Sequence, residues 1–422
     1  MRILVLIEIA SLGGHALSGL TTGRELKRRG HEVEFAGGEG PLRKEIEKEF
    51  HFQELTYCYE HAGRQTYFTW HSLKTLKQIS NIVERWAAEG IHAFDARSYI
   101  LASMLGIQTG IAVTCTLCGG ITPYYNIPAC GKLIVFSKEQ KEKLINVYGW
   151  KEDNVEVIST RLDMEQFENN PEAEIEALCR KYEIDPAKRN IMMITNFLGP
   201  KVEAIKYLLK AIPAVLEQYP DVSLVMIGSR GDFFREAKEA GEKINKAIGR
   251  KAIVFTGAVM NAQKLLVAGH IVLGVGRSAF EGMAHRKPTL IVGGNGYAGT
   301  VNKDNTEEIW HYNFSGRNNK HEVSPEILKG ELIRLLEDDN YYESVRHFGL
   351  DFLKSHIDIK SGIARIESAY KENALYANNR RRIYRILNMI RILIPIFFDN
   401  YYNSLKSRFI SRKVKAAGLD HS

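Results

Sequence analysis

The sequence predicts an α/β protein made of two successive doubly wound domains, and three observations carry that prediction. The chain opens on a continuous apolar run, Ile3–Ile9, broken only by Glu8, as expected of a strand buried on both faces of a parallel sheet. The strand and helix alternation stops at an acidic, low-apolar run, ENNPEAE at 168–174, and restarts with an apolar strand at 190–195. Finally, the stretch IVLGVGRSAFEGMAHRKPTLIVGGNGYAG at 271–299 reads as a strand, a Gly-x-Gly turn, a helix opening near Arg277 or Ser278, and a second strand over 289–292.

The elements follow in order. After the first strand, Gly13 and Gly14 make a turn, a helix runs through Leu17, Leu20 and Leu26 to Gly30, and HEVEFAGGEG supplies a second strand. A glycine loop at the carboxyl end of the first strand is where open α/β sheets bind ligands, but it is not GxGxxG, so a dinucleotide fingerprint is absent. The stretch from Tyr57 to Trp70 is aromatic and irregular, and a helix is expected from about Leu73 to Gly90. Strand signals return at 109–116, ending in Gly119 and Gly120, and at 133–136, followed by a capping box of Ser137 and Gln140. Strand 155–159 closes the first half. In the second, Ile205, Leu208, Leu209, Ile212, Val215 and Leu216 form one buried helix face after Lys201. Strands at 222–227 and 253–256 end in Gly228 and Gly257, and helices fill 323–372.

Composition bounds the function. The 45% hydrophobic and 25% charged residues are those of an ordinary globular protein. The five cysteines, Cys58, Cys115, Cys118, Cys130 and Cys179, include one CxxC at 115–118 with no second pair at zinc spacing, so the expectation is buried thiols in a reducing compartment and no metal. MRILVLIEIA carries Glu8 and no small-residue cleavage site, and reads as a strand rather than a signal peptide. No stretch reaches the roughly 20 apolar residues of a membrane span. A cytoplasmic protein, or one peripheral on the inner face of the cell membrane, is expected.

The net charge of +7 is concentrated in the tail. Between Tyr376 and Lys415 ten Lys or Arg face one acid, Asp399, so the rest of the chain is slightly acidic and a nucleic-acid partner loses its main support. In that tail Ile383, Ile386, Leu387, Ile390, Ile394 and Phe397 fall at helical spacing among arginines, with Pro395 and the aromatics of FFDNYY at the end. A basic amphipathic helix of this kind reads as lying on an anionic membrane surface, against the plainer alternative of a helix packed on the protein or a partner.

Taken together, GRSAFEGMAHRKPTLIVGG, MIG at 226–228, the glycine pair at 13 and 14, RGHEVEF, and LIVFSKEQKEKL leading to VISTRLD resemble the GT-B glycosyltransferases of the family-4 type, over about residues 1–370. The resemblance implies two facing Rossmann-like domains with an interdomain cleft. It divides the chain into an acceptor-binding domain (1–170), a nucleotide-sugar-binding domain (171–345), closing helices (346–375) and the basic tail (376–422). It also implies a retaining, metal-independent transferase with no cofactor other than the nucleotide-sugar co-substrate, moving a sugar from a UDP- or GDP-sugar to a lipid-linked or polysaccharide acceptor.

Residue by residue, Glu281 matches the glutamate that holds the ribose hydroxyls. Gly276, with the N–H groups of Arg277 and Ser278, matches the donor-phosphate loop, beside Gly228. Lys201 matches the cation that neutralises the diphosphate as the sugar bond breaks, and Gly13 and Gly14 match the N-terminal loop against the same group. His15, Asp95 and Arg97 are the polar candidates for catalysis on the acceptor side. The leaving phosphate itself can take the acceptor's proton, so no catalytic dyad is required. This chain departs from the family where Asn196 replaces an arginine, Leu273 replaces the first glutamate of an E-x7-E pair, Cys118 stands for a histidine and Arg286 for a glycine. These departures motivate the alternative of a catalytically silent homologue that binds a sugar nucleotide or a partner, and a sugar-nucleotide epimerase or a phosphorylase is the further enzyme reading on the same fold.

Overall fold

A computed structural model describes residues 1–57, 72–119, 127–128, 131–159, 161–199, 201–293, 296–318, 323–376, 383, 385–394 and 398. Most of the aromatic stretch, Cys58, Cys130, Gly120, Pro395, Phe397 and the cations beyond Asp399 lie outside the described residues. The chain divides into two compact units, one of residues 1–136, 140–158 and 363–422, the other of residues 137–139 and 159–362.

In the first unit the order is β1 (Arg2–Ile9), α1 (Gly14–Arg28), β2 (Glu32–Gly38), α2 (Arg43–Glu47), β3 (Phe52–Glu54), α3 (Ser72–Trp86), β4 (Gly90–Ala93), α4 (Ala96–Thr109), β5 (Ala112–Leu117), β6 (Lys132–Val135), α5 (Lys138–Asn146) and β7 (Val155–Val157). The strands form one parallel sheet in the order β3-β2-β1-β4-β5-β6-β7. Ile3 to Ile7 are wholly buried, which is why β1 reads as an unbroken apolar run. In the region of the expected capping box, Gln140 accepts from the N–H of Phe136 at 3.1 Å, one residue before Ser137.

The second unit holds α6 (Glu172–Lys181), β8 (Arg189–Ile194), α7 (Lys201–Gln218), β9 (Val222–Ile227), α8 (Phe234–Ala247), β10 (Ile253–Gly257), β11 (Gly269–Gly274), α9 (Arg277–Ala284), β12 (Thr289–Gly293), β13 (Gly296–Thr300), α10 (Thr306–His311), α11 (Pro325–Glu337) and α12 (Asp339–His356). Its sheet runs β10-β9-β8-β11-β12-β13, parallel except for the antiparallel edge strand β13. The predicted face of α7 is buried at all six positions, and the helix packs against β9, β12 and α11. Each such side chain contributes about 1.5–3 kcal/mol by leaving water.

The chain leaves the first unit after Ile158, before the acidic run that reads as a linker in the sequence, because 164–167 fold as a 3-10 turn and α6 starts at Glu172. It returns on the last described long helix, α13 (Ile359–Tyr376), which belongs to the first unit from Ile363 onward. The attachments are specific. The Tyr370 hydroxyl lies 2.6 Å from His92 Nδ1, and Asn373 Nδ2 donates to Thr114 Oγ1 at 2.7 Å while its Oδ1 accepts from the Lys132 N–H at 2.9 Å. Burial pushes His92 down to about 3, so it stays neutral between Tyr370 and Thr116.

Candidate functional site

In the second sheet the strand order reverses between β8 and β11, and in open α/β sheets ligands bind beyond the carboxyl ends at such a point. Lys201 opens α7 in the connection after β8, and Gly276 caps α9 after β11. Gly276 has φ 55° and ψ −121°, a conformation open to glycine but strained for other residues. Its own N–H is taken by the Phe314 carbonyl at 2.8 Å, and its carbonyl accepts the first helical bond from Phe280 N–H at 3.1 Å. The N–H groups of Arg277 and Ser278 are therefore those that a helix start leaves for an anion. The Ser278 hydroxyl holds the turn, accepting from Val275 N–H at 3.2 Å and donating to Val275 O at 3.1 Å. Gly228 at the end of β9 has φ 130°, and a Cβ there would lie 2.1 Å from the Thr195 carbonyl oxygen, so glycine lets the ends of β8 and β9 approach.

Lys201 is half-buried, and its ammonium has no hydrogen-bond or ion-pair partner among the described residues; desolvation lowers its pKa. An unpaired cation held partly out of water is the group that an incoming phosphate would satisfy. Asn196, in the same connection, is exposed. Glu281 is buried, and burial raises its pKa while Arg277 opposes the shift. Arg277 donates Nε to Glu281 Oε1 at 2.8 Å and Nη1 to the Arg161 carbonyl at 3.0 Å, so its fork is engaged within the protein.

Arg161 is a residue that sequence reasoning missed. It is buried, donates Nη2 to Asn313 Oδ1 at 2.7 Å and lies 4.5 Å from the centre of the Phe280 ring, fixing α9 through its second turn. Its signal in the sequence is a basic residue just past a strand, within the VISTRLD stretch that carries part of the resemblance. Leu273 sits wholly buried inside β11, in the core, where a carboxylate would be desolvated; this accounts for an apolar residue there. Arg286 occupies the left-handed region at φ 56°, the conformation that explains why glycine suits the position.

The first sheet reverses its order between β1 and β4, and there the structure brings together Asp95, Arg97 and the unforeseen Glu8. Asp95 is the N-cap of α4, its Oδ1 accepting from Ser98 N–H at 2.8 Å and its Oδ2 from Glu8 N–H at 2.7 Å and Ser98 Oγ at 2.9 Å. Its carboxylate is thus a joint between β1 and α4. Buried Arg97 pairs with Glu8 across 3.0 Å. Burial, and then the Asp95 charge, push Glu8 up to about 7 against the pull of Arg97. Gly13 is the N-cap of α1 and donates to Ser11 Oγ at 3.1 Å; Gly14 faces open space, and half-buried His15 has no partner among the described residues. The CxxC pair is not bridged, and burial raises the thiols of Cys115 and Cys179.

The described part of the tail, residues 385–394, is a helix that buries Arg385, Met389 and Ile392, the last against Ile100 of α4. The predicted apolar stripe points the other way: Ile383, Ile386, Leu387, Ile390 and Ile394 are exposed. No described helix is long and apolar enough to cross a membrane.

Two Rossmann-like parallel sheets with these loops define the GT-B class of fold, and comparison with known proteins agrees. Residues 188–316 match the family described as Glycosyl transferases group 1. The chain is 22% identical over 237 residues to the N-acetyl-alpha-D-glucosaminyl L-malate synthase of Bacillus anthracis, across 53% of this chain and 60% of that protein, so it spans less than two thirds of that relative. Its fold is similar to the glycosyltransferase from Rickettsia africae ESF-5 (TM-score 0.66, 19% identity, 88% of this chain and 98% of that one). It is likewise similar to Anabaena Alr3699/HepE in complex with UDP and glucose (TM-score 0.65, 15% identity, 88% and 100%). A third likeness is to the UDP-GlcNAc 2-epimerase from Neisseria meningitidis bound to UDP-GlcNAc (TM-score 0.56, 13% identity, 87% and 98%).

Proposed function

We propose that this chain is a retaining, metal-independent glycosyltransferase that takes its sugar from a nucleotide-sugar, with UDP favoured over GDP, and passes it to a lipid-linked or glycan acceptor at the inner face of the cell membrane. The observation that carries the reading is the convergence, at the switch point of the second sheet, of Lys201, without a partner among the described residues, with the glycine-capped start of α9 and the buried Glu281. Proteins of similar fold solved with UDP, UDP-glucose or UDP-GlcNAc support the choice of base.

In this reading the α9 N–H groups and Lys201 hold the diphosphate, whose negative charge grows as the glycosidic bond breaks, so both bind the departing group more tightly than the ground state. Glu281 accepts from the ribose hydroxyls, and the hydrogen bond from Arg277 orients its carboxyl group and opposes the upward pull of burial on its pKa. Glu8 and Arg97 face the acceptor, while Asp95 sets their frame. Buried Leu273 and exposed Asn196 favour one second reading, a silent homologue that binds the nucleotide without transfer.

Incubating the purified chain with labelled UDP- and GDP-sugars and a bacterial lipid extract decides between the two. Release of nucleoside diphosphate with label entering the lipid fraction, lost in a Glu281→Ala variant, is expected. Nucleotide binding without release would favour the silent reading, and an isomerised sugar nucleotide would indicate epimerisation.

A further inference from the structure

The tail helix has an inverted arrangement. Helices on globular surfaces turn their apolar side to the core, yet residues 385–394 bury an arginine, Arg385, together with Met389 and Ile392, the last against Ile100 of α4, and leave Ile386, Leu387, Ile390 and Ile394 exposed. Leu387 is 60% exposed, Ile394 50% and Ile390 46%, so the outward face carries large apolar side chains over about two turns. A contiguous bare stripe of this size marks an interaction surface.

Charge indicates the occupant. Exposed Arg391 lies on the same helix, and the segment around it has ten cations against one acid. An anionic bilayer offers both an apolar phase for the stripe and negative headgroups for the cations. Along α4, Ile100, which holds the tail helix, stands five residues from Asp95 and three from Arg97. At 1.5 Å per residue the anchor is within about 8 Å, along the axis, of the Glu8–Asp95–Arg97 network.

We propose that the outward stripe is a lipid-binding face used while the helix stays packed on α4, so that the first unit meets the bilayer in one orientation and draws a lipid-borne acceptor from it. The acceptor part rests on the glycosyltransferase reading; the lipid face does not.

The test is flotation of the full chain with phosphatidylcholine vesicles, with and without one quarter phosphatidylglycerol, alongside calorimetric UDP binding. The wild type binds the anionic vesicles. Leu387→Glu with Ile390→Glu lowers the partition coefficient on the order of a hundredfold and leaves UDP affinity unchanged. An Ile100→Cys, Ile392→Cys pair, oxidised to a disulfide, keeps vesicle binding.

Loss of binding on oxidation, recovered on reduction, would overturn the proposal by showing that the helix must leave α4. So would a wild type that ignores vesicles, or stripe variants that bind them as before. A chain that is dimeric without lipid, becomes monomeric on the Glu substitutions and ignores vesicles would assign the stripe to a second copy instead. Vesicle failure with UDP binding intact overturns this inference alone, whereas vesicle binding without nucleotide binding overturns the transferase reading alone.

Discussion

Lys201 and Glu8 are ionisable groups that the fold keeps at a cost to its own stability. For Lys201 the folded pKa is depressed by desolvation, so the protonated amine present at neutral pH is less favourable in the native state than in the unfolded chain. Lys201→Met is therefore expected to raise Tm slightly while weakening nucleoside diphosphate binding by about 10- to 100-fold, since a charged hydrogen bond contributes roughly 1.5–3 kcal/mol. Scanning calorimetry and titration on one preparation check both; a drop in Tm with unchanged affinity would make the lysine structural. For Glu8 the folded pKa is raised to about 7, so its contribution to stability is fully present below the carboxylate's ordinary value and is lost as pH rises toward 7. Glu8→Gln removes that titration, and thermal melts between pH 5 and pH 8 should show a shallower pH dependence in the variant. An equal slope would contradict the burial assigned here. Lys201, Gly276 and Glu281 are legible in the sequence because each sits at a fixed offset from a strand end. Glu8 is not, since inside an apolar run it looks like an interruption of a strand; its partners Arg97 and Asp95 lie 87 or more residues away.

The element scale shows where period and punctuation suffice. The face of α7 and the strand, turn and helix of 269–284 are readable because apolar spacing and glycines fix them locally. The short strands β4 and β13 are not. GIHA is four residues with a buried histidine, and GYAGT is rich in glycine; both are strands only because β1 and β5, or β12, supply their hydrogen bonds. Arg286 is the reverse case, a residue whose departure from glycine costs something visible. It is exposed and held at φ 56° after α9. Arg286→Gly is expected to stabilise the protein by about 0.5–1 kcal/mol, the relief of left-handed strain exceeding the added freedom of the unfolded chain. Chemical denaturation measures it, and a loss of stability would mean that the arginine makes a compensating contact.

At the scale of the whole molecule the decisive feature is the return of the chain into its first unit. Helices beyond residue 323 are readable from the sequence, but where they dock is not, because docking is carried by single polar groups with distant partners. Asn373 is the clearest of these: buried, it donates to the Val113 carbonyl at 3.1 Å and to Thr114 Oγ1, and accepts from Lys132 N–H. Asn373→Ala leaves those groups unsatisfied and should cost the first unit about 2–3 kcal/mol. Because the proposed nucleotide site belongs to the second unit, UDP affinity should change little, which calorimetric unfolding with and without UDP would reveal.

The most direct test of that site is titration calorimetry of the full chain with UDP, GDP and ADP. Binding of one nucleoside diphosphate in preference to the others, weakened at least about tenfold by Glu281→Ala, is the predicted result. Heat from none of the three, or equal affinity in the Glu281→Ala variant, would contradict the assignment of Lys201, Gly276 and Glu281 to a nucleotide-sugar.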